Sequence, residues 1–463
     1  MADTNATTTT NTTPAPSTSP STSPFLEKWT TFGPHKEGSA GRQRIQVLLD
    51  IADLETLSQE ALAVRRQCVD PSLDPSIACS VDKTNFSSGY SHVVLQVKFS
   101  DGMSWAARLL HREAFADEQS MEEEKTSLLS EMATMKVVRE RTNVPVPEVF
   151  AFDMSPGNPV GYPWVLMGWV EGKALRQNLA RGVPAGEKRD KVASQIADVL
   201  NELHSLRFEG LGRVWGGHDA LGVGVATHGL GDGGGVDDGS GEQGQQYTVI
   251  PPAEGGKKAE VGRTSWEHFY RSRQRQNRRI LKGNRGKGNA ADWRTAAWIL
   301  KTSISHIIVE DWHKGPFPLM HPTFHHGNIL FNDEFDIVGV IGWSGAHTVP
   351  VERLATSTTE LVAPVGVPEA SAKATAEFRQ LVMKALVKKE EEEEEEGGNL
   401  GKKFRLSFYM AGKRGELAAR YSQANARNAV FVARSMAKLV FEEKITWEQL
   451  RGVYGHLGDF YLR

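Results

Sequence analysis

The chain has 463 residues, 39% hydrophobic and 24% charged, the make-up of a folded protein large enough for two or three packed units, which excludes wholesale disorder. Lys and Arg number 54 against 57 Asp and Glu, a net charge of −3, so no overall field points to nucleic acid or a membrane as partner. Only two cysteines occur, Cys68 and Cys79, which argues against a disulfide framework or a cysteine-built metal site and suits a reducing compartment.

Residues 1–25 are Thr, Ser, Pro and Asn repeats with nothing to bury, and they read as a disordered tail. This start lacks the basic residues and apolar run of a signal peptide, so a cytoplasmic location is the expectation. No stretch approaches the roughly 20 consecutive apolar residues of a membrane-spanning helix. Residues 93–110 hold two β-rich runs turned at Asp101-Gly102, a hairpin signal, and the glycine-bearing turn 87–91 precedes them. Residues 118–142 carry Leu128, Leu129, Met132, Met135 and Val138 at helical spacing, and Pro145 and Pro147 end the helix. Two short strands follow at 149–152 and 164–167. Residues 40–170 thus form a small antiparallel sheet with one helix.

From 171 to 463 the pattern is mainly helical. Residues 189–206 place Val192, Ile196, Val199, Leu200 and Leu203 on one face, His204 reading as a core or capping residue, and 293–312 predict another helix. Flexible insertions are expected near 229–260, where 229–244 is glycine-rich, and at 388–400, where 390–396 are seven glutamates. The cluster Arg271, Arg273, Arg275, Arg278, Arg279, Lys282, Arg285 and Lys287 reads as a solvated helix face, since only Tyr270 is interleaved with it. His313, His321, His325, His326 and His347 crowd one region, but with no H-x-x-x-H helix or Cys partner a zinc site is not expected.

One β-rich island interrupts the helices at 321–343: Ile329-Leu330-Phe331 and 337–341 flank a turn-rich loop carrying Asp333 and Asp336. The stretch LMHPTFHHGNILFNDEFDIVGVIGWSG resembles the phosphate-transfer segment of the aminoglycoside phosphotransferase and choline kinase-like families, relatives of protein kinases that phosphorylate small molecules. Their pattern is roughly L-x-H-G-D-x-x-x-x-N-I-L, a hairpin, then I-D-W-E. His321 fits the histidine, Asn328-Ile329-Leu330 fits Asn-Ile-Leu, and Ile341 and Trp343 flank the second acidic position.

The resemblance covers most of residues 75–360 and implies a bilobal, α+β, protein-kinase-like fold using ATP. It places Ser88 and Gly89 in a phosphate-covering loop, and makes Arg108 the phosphate-binding cation, oriented by Glu131. It makes Met167, Gly168 and Trp169 the hinge whose backbone holds adenine. The catalytic positions fall on His321, Thr323 and Asn328, and the magnesium positions on Asn328 and Gly342.

Phosphoryl transfer needs a carboxylate to position the acceptor hydroxyl, and an asparagine with a second carboxylate to hold magnesium. Here the carboxylate positions are Thr323, Gly342 and Ser344. Loss of the general base alone removes about 10² to 10⁴ in rate. The residues therefore favour a pseudokinase that keeps a cleft for nucleotide or a small ligand, with magnesium binding impaired. The alternatives are an active phosphotransferase with relocated groups, His325 or His326 serving as base, and a non-enzymatic interaction scaffold.

Overall fold

The structure is a computed structural model that describes residues 23–458, apart from 28, 30, 31, 34, 90, 112–117, 156, 217–246, 252–259, 285–288, 357, 363–367, 398–403 and 443. Most of the expected tail, the glycine-rich segment 229–244, and Arg285 and Lys287 lie outside the described residues. No helix among the described residues is long and apolar enough to cross a membrane.

Two helices that the sequence reading passes over come first, α1 (Ala40–Ile51) and α2 (Leu54–Val64), N-capped by the Ser39 and Asp53 side chains. Their Ile45, Leu48, Leu49, Leu57, Ala61 and Val64 recur at helical spacing and are buried. Five antiparallel strands follow: β1 (Cys79–Ser88), β2 (His92–Phe99), β3 (Ser104–Leu110), β4 (Val149–Asp153) and β5 (Trp164–Gly168). Their order in the sheet is β1-β2-β3-β5-β4.

Alternation along β3 sorts the two faces of this sheet. Trp105, Ala107 and Leu109 join Val93, Leu95 and Val97 in the core under α1 and α2. Leu110 points the other way, toward Leu128, Leu129 and Met132 of α3 (Glu118–Arg141). The turn expected at Asp101-Gly102 is present, with Gly102 at φ +92° and Asp101 gripped by the buried Arg65 through two Nη–Oδ contacts.

The helical lobe begins with α4 (Leu179–Gly182) and α5 (Glu187–Ser205) and a small hairpin of β6 (Arg213–Trp215) and β7 (Thr248–Ile250). It continues with α6 (Ser265–Gly283) and α7 (Ala290–Thr302). The helix predicted over 293–312 stops at Thr302 and gives way to two 3₁₀ turns, Ser303–His306 and Glu310–Trp312. The β-rich island forms as expected, with β8 (Leu319–Met320), β9 (Ile329–Phe331), β10 (Ile337–Val340) and β11 (His347–Thr348). Strand β9 pairs with β10, and β8 with β11. The chain closes with α8 (Val351–Leu354), α9 (Glu369–Gly397), α10 (Leu406–Ala411), α11 (Lys413–Gln423), α12 (Ala429–Phe441) and α13 (Trp447–Tyr454).

The chain is packed from the first residue after the expected tail, since Leu26 is fully buried and bridges Leu175, and the Phe25 ring lies 6.3 Å from that of Phe335. Two expectations are corrected. The glutamate run is not a flexible insertion but the last turns of α9, whose Phe378, Val382 and Leu386 are buried and which lies along α5, while Glu391, Glu392, Glu394 and Glu395 are exposed as expected. Lys389 pairs with Asp198, Glu393 with Asn201, and Arg405 Nε donates to Glu394 at 2.8 Å. Glu390 is buried and accepts the Ser407 amide (3.0 Å) and hydroxyl. The basic cluster is also not wholly solvated, because Arg273 is 1% exposed.

Glu390→Ala strands the Ser407 donors and is expected to cost about 1–3 kcal/mol, whereas Glu395→Ala on the exposed face should stay within about 0.5 kcal/mol. Urea midpoints of the two variants measure the contrast, and equal midpoints would return the run to a solvated appendage.

Candidate functional site

Because β3 alternates, Arg108 emerges on the α3 side of the sheet, one residue from Ala107 in the opposite core. It meets Glu131 of α3 in a two-pronged pair, Nη1–Oε1 2.7 Å and Nη2–Oε2 3.1 Å. Arg108 is 9% and Glu131 3% exposed, so the pair is buried, where a guanidinium is tolerated only with matched geometry. The strand-cation and helix-glutamate arrangement expected from the sequence is therefore formed.

Among the described residues Arg108 Nε is buried without a hydrogen-bond partner, and so is the Ser88 hydroxyl, which the register sets beside Val93 on the opposite face of the sheet, apart from the pair. Ser88 ends β1 opposite Val93, and Gly89 turns the chain, its amide donating to His92 O at 3.0 Å. Burial and the Arg108 charge push His92 down to about 4, so it is neutral at pH 7. An unpaired donor, a fixed guanidinium and a turn backbone suit a phosphate group. On the hinge, Met167 pairs with Ala106 and Val149, and the Gly168 amide donates to Glu148 O at 2.8 Å. The Trp169 ring lies 4.9 Å from that of Trp29, a contact the sequence does not announce.

In the helical lobe, His321 is 1% exposed and holds the catalytic-loop segment with both ring nitrogens. Its Nε2 donates to Ile341 O at 2.9 Å, and its Nδ1 accepts the Thr323 amide at 3.2 Å. The ring packs 4.5 Å from Trp343, and burial lowers its pKa to about 4. His321 therefore shapes the loop, and both its ring nitrogens are already engaged.

Thr323, Asn328 and Gly342 do come together, as their spacing predicts, but as a closed neutral network. Asn328 Nδ2 donates to Thr323 O at 2.9 Å and to Thr323 Oγ1 at 3.0 Å, while Thr323 Oγ1 donates to Gly342 O at 3.2 Å. Gly342 has φ +80°, and a Cβ built there would stand 2.8 Å from Asn328 Nδ2. Magnesium is ordinarily held through one or two carboxylates. These three positions supply none, so the residues present do not fit a magnesium site. The two nearby aspartates are committed elsewhere, Asp336 to Lys191 at 2.6 Å and Asp333 to Lys173 at 3.8 Å.

Sequence reading misses Glu360, which lies 34 residues beyond His326 in a stretch without a motif. The 3₁₀ turn Thr359–Leu361 brings it under the loop. There it accepts the Leu179 amide (2.9 Å), the His326 amide (3.2 Å) and His326 Nδ1. The hydrogen bond to Glu360 raises the His326 pKa. Burial alone would raise Glu360, yet the His326 and Leu179 donors hold its carboxyl below the ordinary value. His325, His326 and Glu360 offer three ligand atoms within 4.8 Å of one another, a cluster the sequence reading discounted. Both Glu360 oxygens already accept N–H groups, and His325 Nδ1 accepts the Gly327 amide at 3.1 Å. The group is thus a hydrogen-bonded dyad beside a loop-capping histidine.

A buried strand-cation and helix-glutamate pair in an antiparallel lobe, facing a helical lobe with this hairpin, defines a protein-kinase-like phosphotransferase fold. The sequence profile of the phosphotransferase enzyme family matches residues 83–353, more than half of the chain, and the protein belongs to that family. A subtelomeric hrmA-associated cluster protein of Aspergillus fumigatus is 36% identical over 86 residues, 19% of this chain and 16% of that protein. The Saccharomyces cerevisiae protein named Altered inheritance of mitochondria protein 9, mitochondrial, is 30% identical over 94 residues, 19% of this chain and 15% of that protein. The matches span about a sixth of the length of these curated relatives. The apoenzyme of macrolide 2'-phosphotransferase MphH from Brachybacterium faecium aligns over 88% of this chain and 99% of that one, at 14% identity and a TM-score of 0.38. At that score the assignment rests on the sequence match.

Glu131→Ala leaves Arg108 buried without its partner and is expected to cost about 3–5 kcal/mol, much of it recovered when Arg108→Met is added; chemical denaturation of the single and double variants measures both. The dyad makes a second prediction. With its folded pKa raised, His326 contributes stability in full below about pH 6.5, and loses it as pH rises through the raised value. Glu360, with its folded pKa lowered, contributes above about pH 4.3 and loses its share as pH falls through the lowered value. The melting-temperature difference between the natural chain and Glu360→Gln should therefore be largest between the ordinary carboxylate and histidine values and shrink as pH rises through the raised value of His326; a pH-independent difference would contradict the ion pair.

Proposed function

We propose that this protein is a nucleotide-binding member of the phosphotransferase family whose magnesium-dependent phosphoryl transfer is severely weakened, and that it acts as a binding or regulatory module. The observation that carries this reading is the neutral network of Thr323, Asn328 and Gly342. A threonine hydroxyl is too weak a base to take an acceptor proton at neutral pH, and this one already donates to a backbone carbonyl. The asparagine amide is turned onto threonine oxygens. The nucleotide half of the cleft is supported by the Arg108–Glu131 pair and by the unused donor at Arg108 Nε. When bound, a nucleotide would have its phosphate charge met by Arg108 and the turn at Gly89, its adenine edge facing the hinge backbone at 167–169. A small-molecule ligand in the helical lobe belongs to the same proposal.

A second reading is favoured by the Glu360–His326 dyad, which orients a histidine of raised basicity on the same loop as Thr323. In that reading the chain is an active ATP-dependent small-molecule phosphotransferase with a relocated base. The scaffold reading loses two of its charges, since Glu390 and Arg273 are buried inside the fold.

A thermal-shift titration with ATP, with and without magnesium, separates these readings. The natural chain should be stabilised by ATP to the same extent in both conditions. Thr323→Asp sets a carboxylate beside Asn328 and should make the shift magnesium-dependent. Gly342→Asp is the poorer variant, because its left-handed backbone and the Asn328 contact add strain of order 1–3 kcal/mol. Magnesium-dependent ATP consumption by the natural chain, abolished by His326→Ala, would overturn the proposal in favour of the relocated base.

A further inference from the structure

The hinge at 167–169 is crossed a second time, by the described residues between Phe25 and His35, which make contacts in both lobes. At one end, Leu26 is fully buried in the core of the helical lobe and pairs with Leu175 in an antiparallel bridge. The Glu27 amide donates to Ala174 O at 2.8 Å, the Arg176 amide to Phe25 O at 3.0 Å, and Arg176 Nε to Leu26 O at 2.8 Å. This end is thus fastened backbone to backbone, as a strand would be.

At its other end the same segment enters the sheet lobe. Phe32 packs on the core under α1 and α2 and meets the Phe86 ring edge-on at 5.3 Å, with the Arg42 guanidinium carbon 4.0 Å from its centre. Gly33, at φ +49°, lies so close to the end of β1 that a Cβ built there would run into Ser88 O. His35 Nε2 donates to Gly89 O at 3.0 Å. These contacts grip the turn that the family resemblance makes the phosphate-covering loop. Midway between the two ends, the Trp29 ring lies on that of Trp169 in the hinge, 4.9 Å away.

We propose that this segment is a clamp, which holds the phosphate-covering loop to the helical lobe across the hinge, so that the cleft opens only when the clamp lets go. Two lobes on one linker part by bending at a few residues. A second linker anchored in both cores must stretch or detach before they do. Leu26 and Phe32 are six positions apart, a reach of about 20 Å at full extension, which caps the separation of the two anchors. The anchors differ in strength: Leu26 is fully buried, whereas Trp29 is 40% exposed. The stack on Trp169 is therefore where the clamp yields first. The clamp acts in the ligand-free chain, and only its effect on nucleotide traffic rests on the nucleotide-binding reading.

The test is amide hydrogen exchange of the full chain, read away from each substitution. Trp29→Ala removes the stack without opening either core. Exchange should then quicken about tenfold both at the Arg176 amide and at the Gly89 amide in the loop. Gly33→Val pushes the segment off Ser88, and its readout is the Arg176 and Glu27 amides at the far end, which should quicken likewise. Amides inside α5, such as that of Leu200, should be unchanged in both variants. Acceleration confined to the neighbours of each substitution, or none at either end, overturns the proposal. If Gly33→Val fails to fold, Trp29→Ala alone decides. Stopped-flow mixing with a fluorescent ATP analogue reads the consequence: Trp29→Ala should speed both entry and exit, and unchanged rates would overturn the clamp's control of the cleft. An absence of nucleotide binding by every variant and by the natural chain would count against the nucleotide-binding reading, with the exchange result still deciding the clamp.

Discussion

The buried pair between Arg108 and Glu131 is the constraint on which the cleft depends. It joins a strand to a helix across the inner face of the sheet, and neither charge can be left alone there without a penalty of several kcal/mol. The pair therefore fixes the distance between α3 and β3. The opposite face of the sheet is sealed by α1 and α2, which leaves the α3 side as the face toward the helical lobe. Trp29 and Leu26 add a second tie, running the N-terminal segment along the linker that follows the hinge.

The helical lobe keeps the scaffold of the transfer segment while changing its chemistry. His321 still pins the loop to Ile341, and the hairpin still presents Asn328 to Gly342. Where two carboxylates would repel one another and demand a metal, a threonine, an asparagine and a glycine satisfy each other. Such a network is stable without an ion, which removes the electrostatic reason for a divalent cation to enter. The ionic chemistry near the loop has moved to Glu360 and His326.

The chemistry-bearing positions were legible in the sequence because they are local or regularly spaced. The strand alternation around Arg108, the helical period through Glu131 and the spacing from His321 to Gly342 each fix a geometry within one element or one hairpin. Other features were illegible for an equally physical reason. Seven consecutive glutamates look like a solvated run, yet Ser407, Arg405 and Asn201 arrive from other parts of the chain to meet three of them. Helices α1 and α2 carried caps and period but no chemistry, and so passed unnoticed. Glu360 and Tyr421 carry no local pattern at all.

The sequence by itself determined that this is a two-lobed kinase-like chain with a strand arginine set to meet a helix glutamate, and that its transfer segment lacks the carboxylates of its family. Those are statements about residue identity and spacing, which the backbone's fixed periods convert directly into position. Only the tertiary structure decided what replaces the missing groups: that Asn328 turns onto Thr323, that Glu360 reaches His326, and that Arg273 is buried against Tyr421 rather than solvated. Each depends on contacts between residues 5 to 148 positions apart. The reason lies in how charge behaves in a protein interior, where the partner brought in by packing, not the residue's own type, decides whether it is solvated, paired or left open to a ligand.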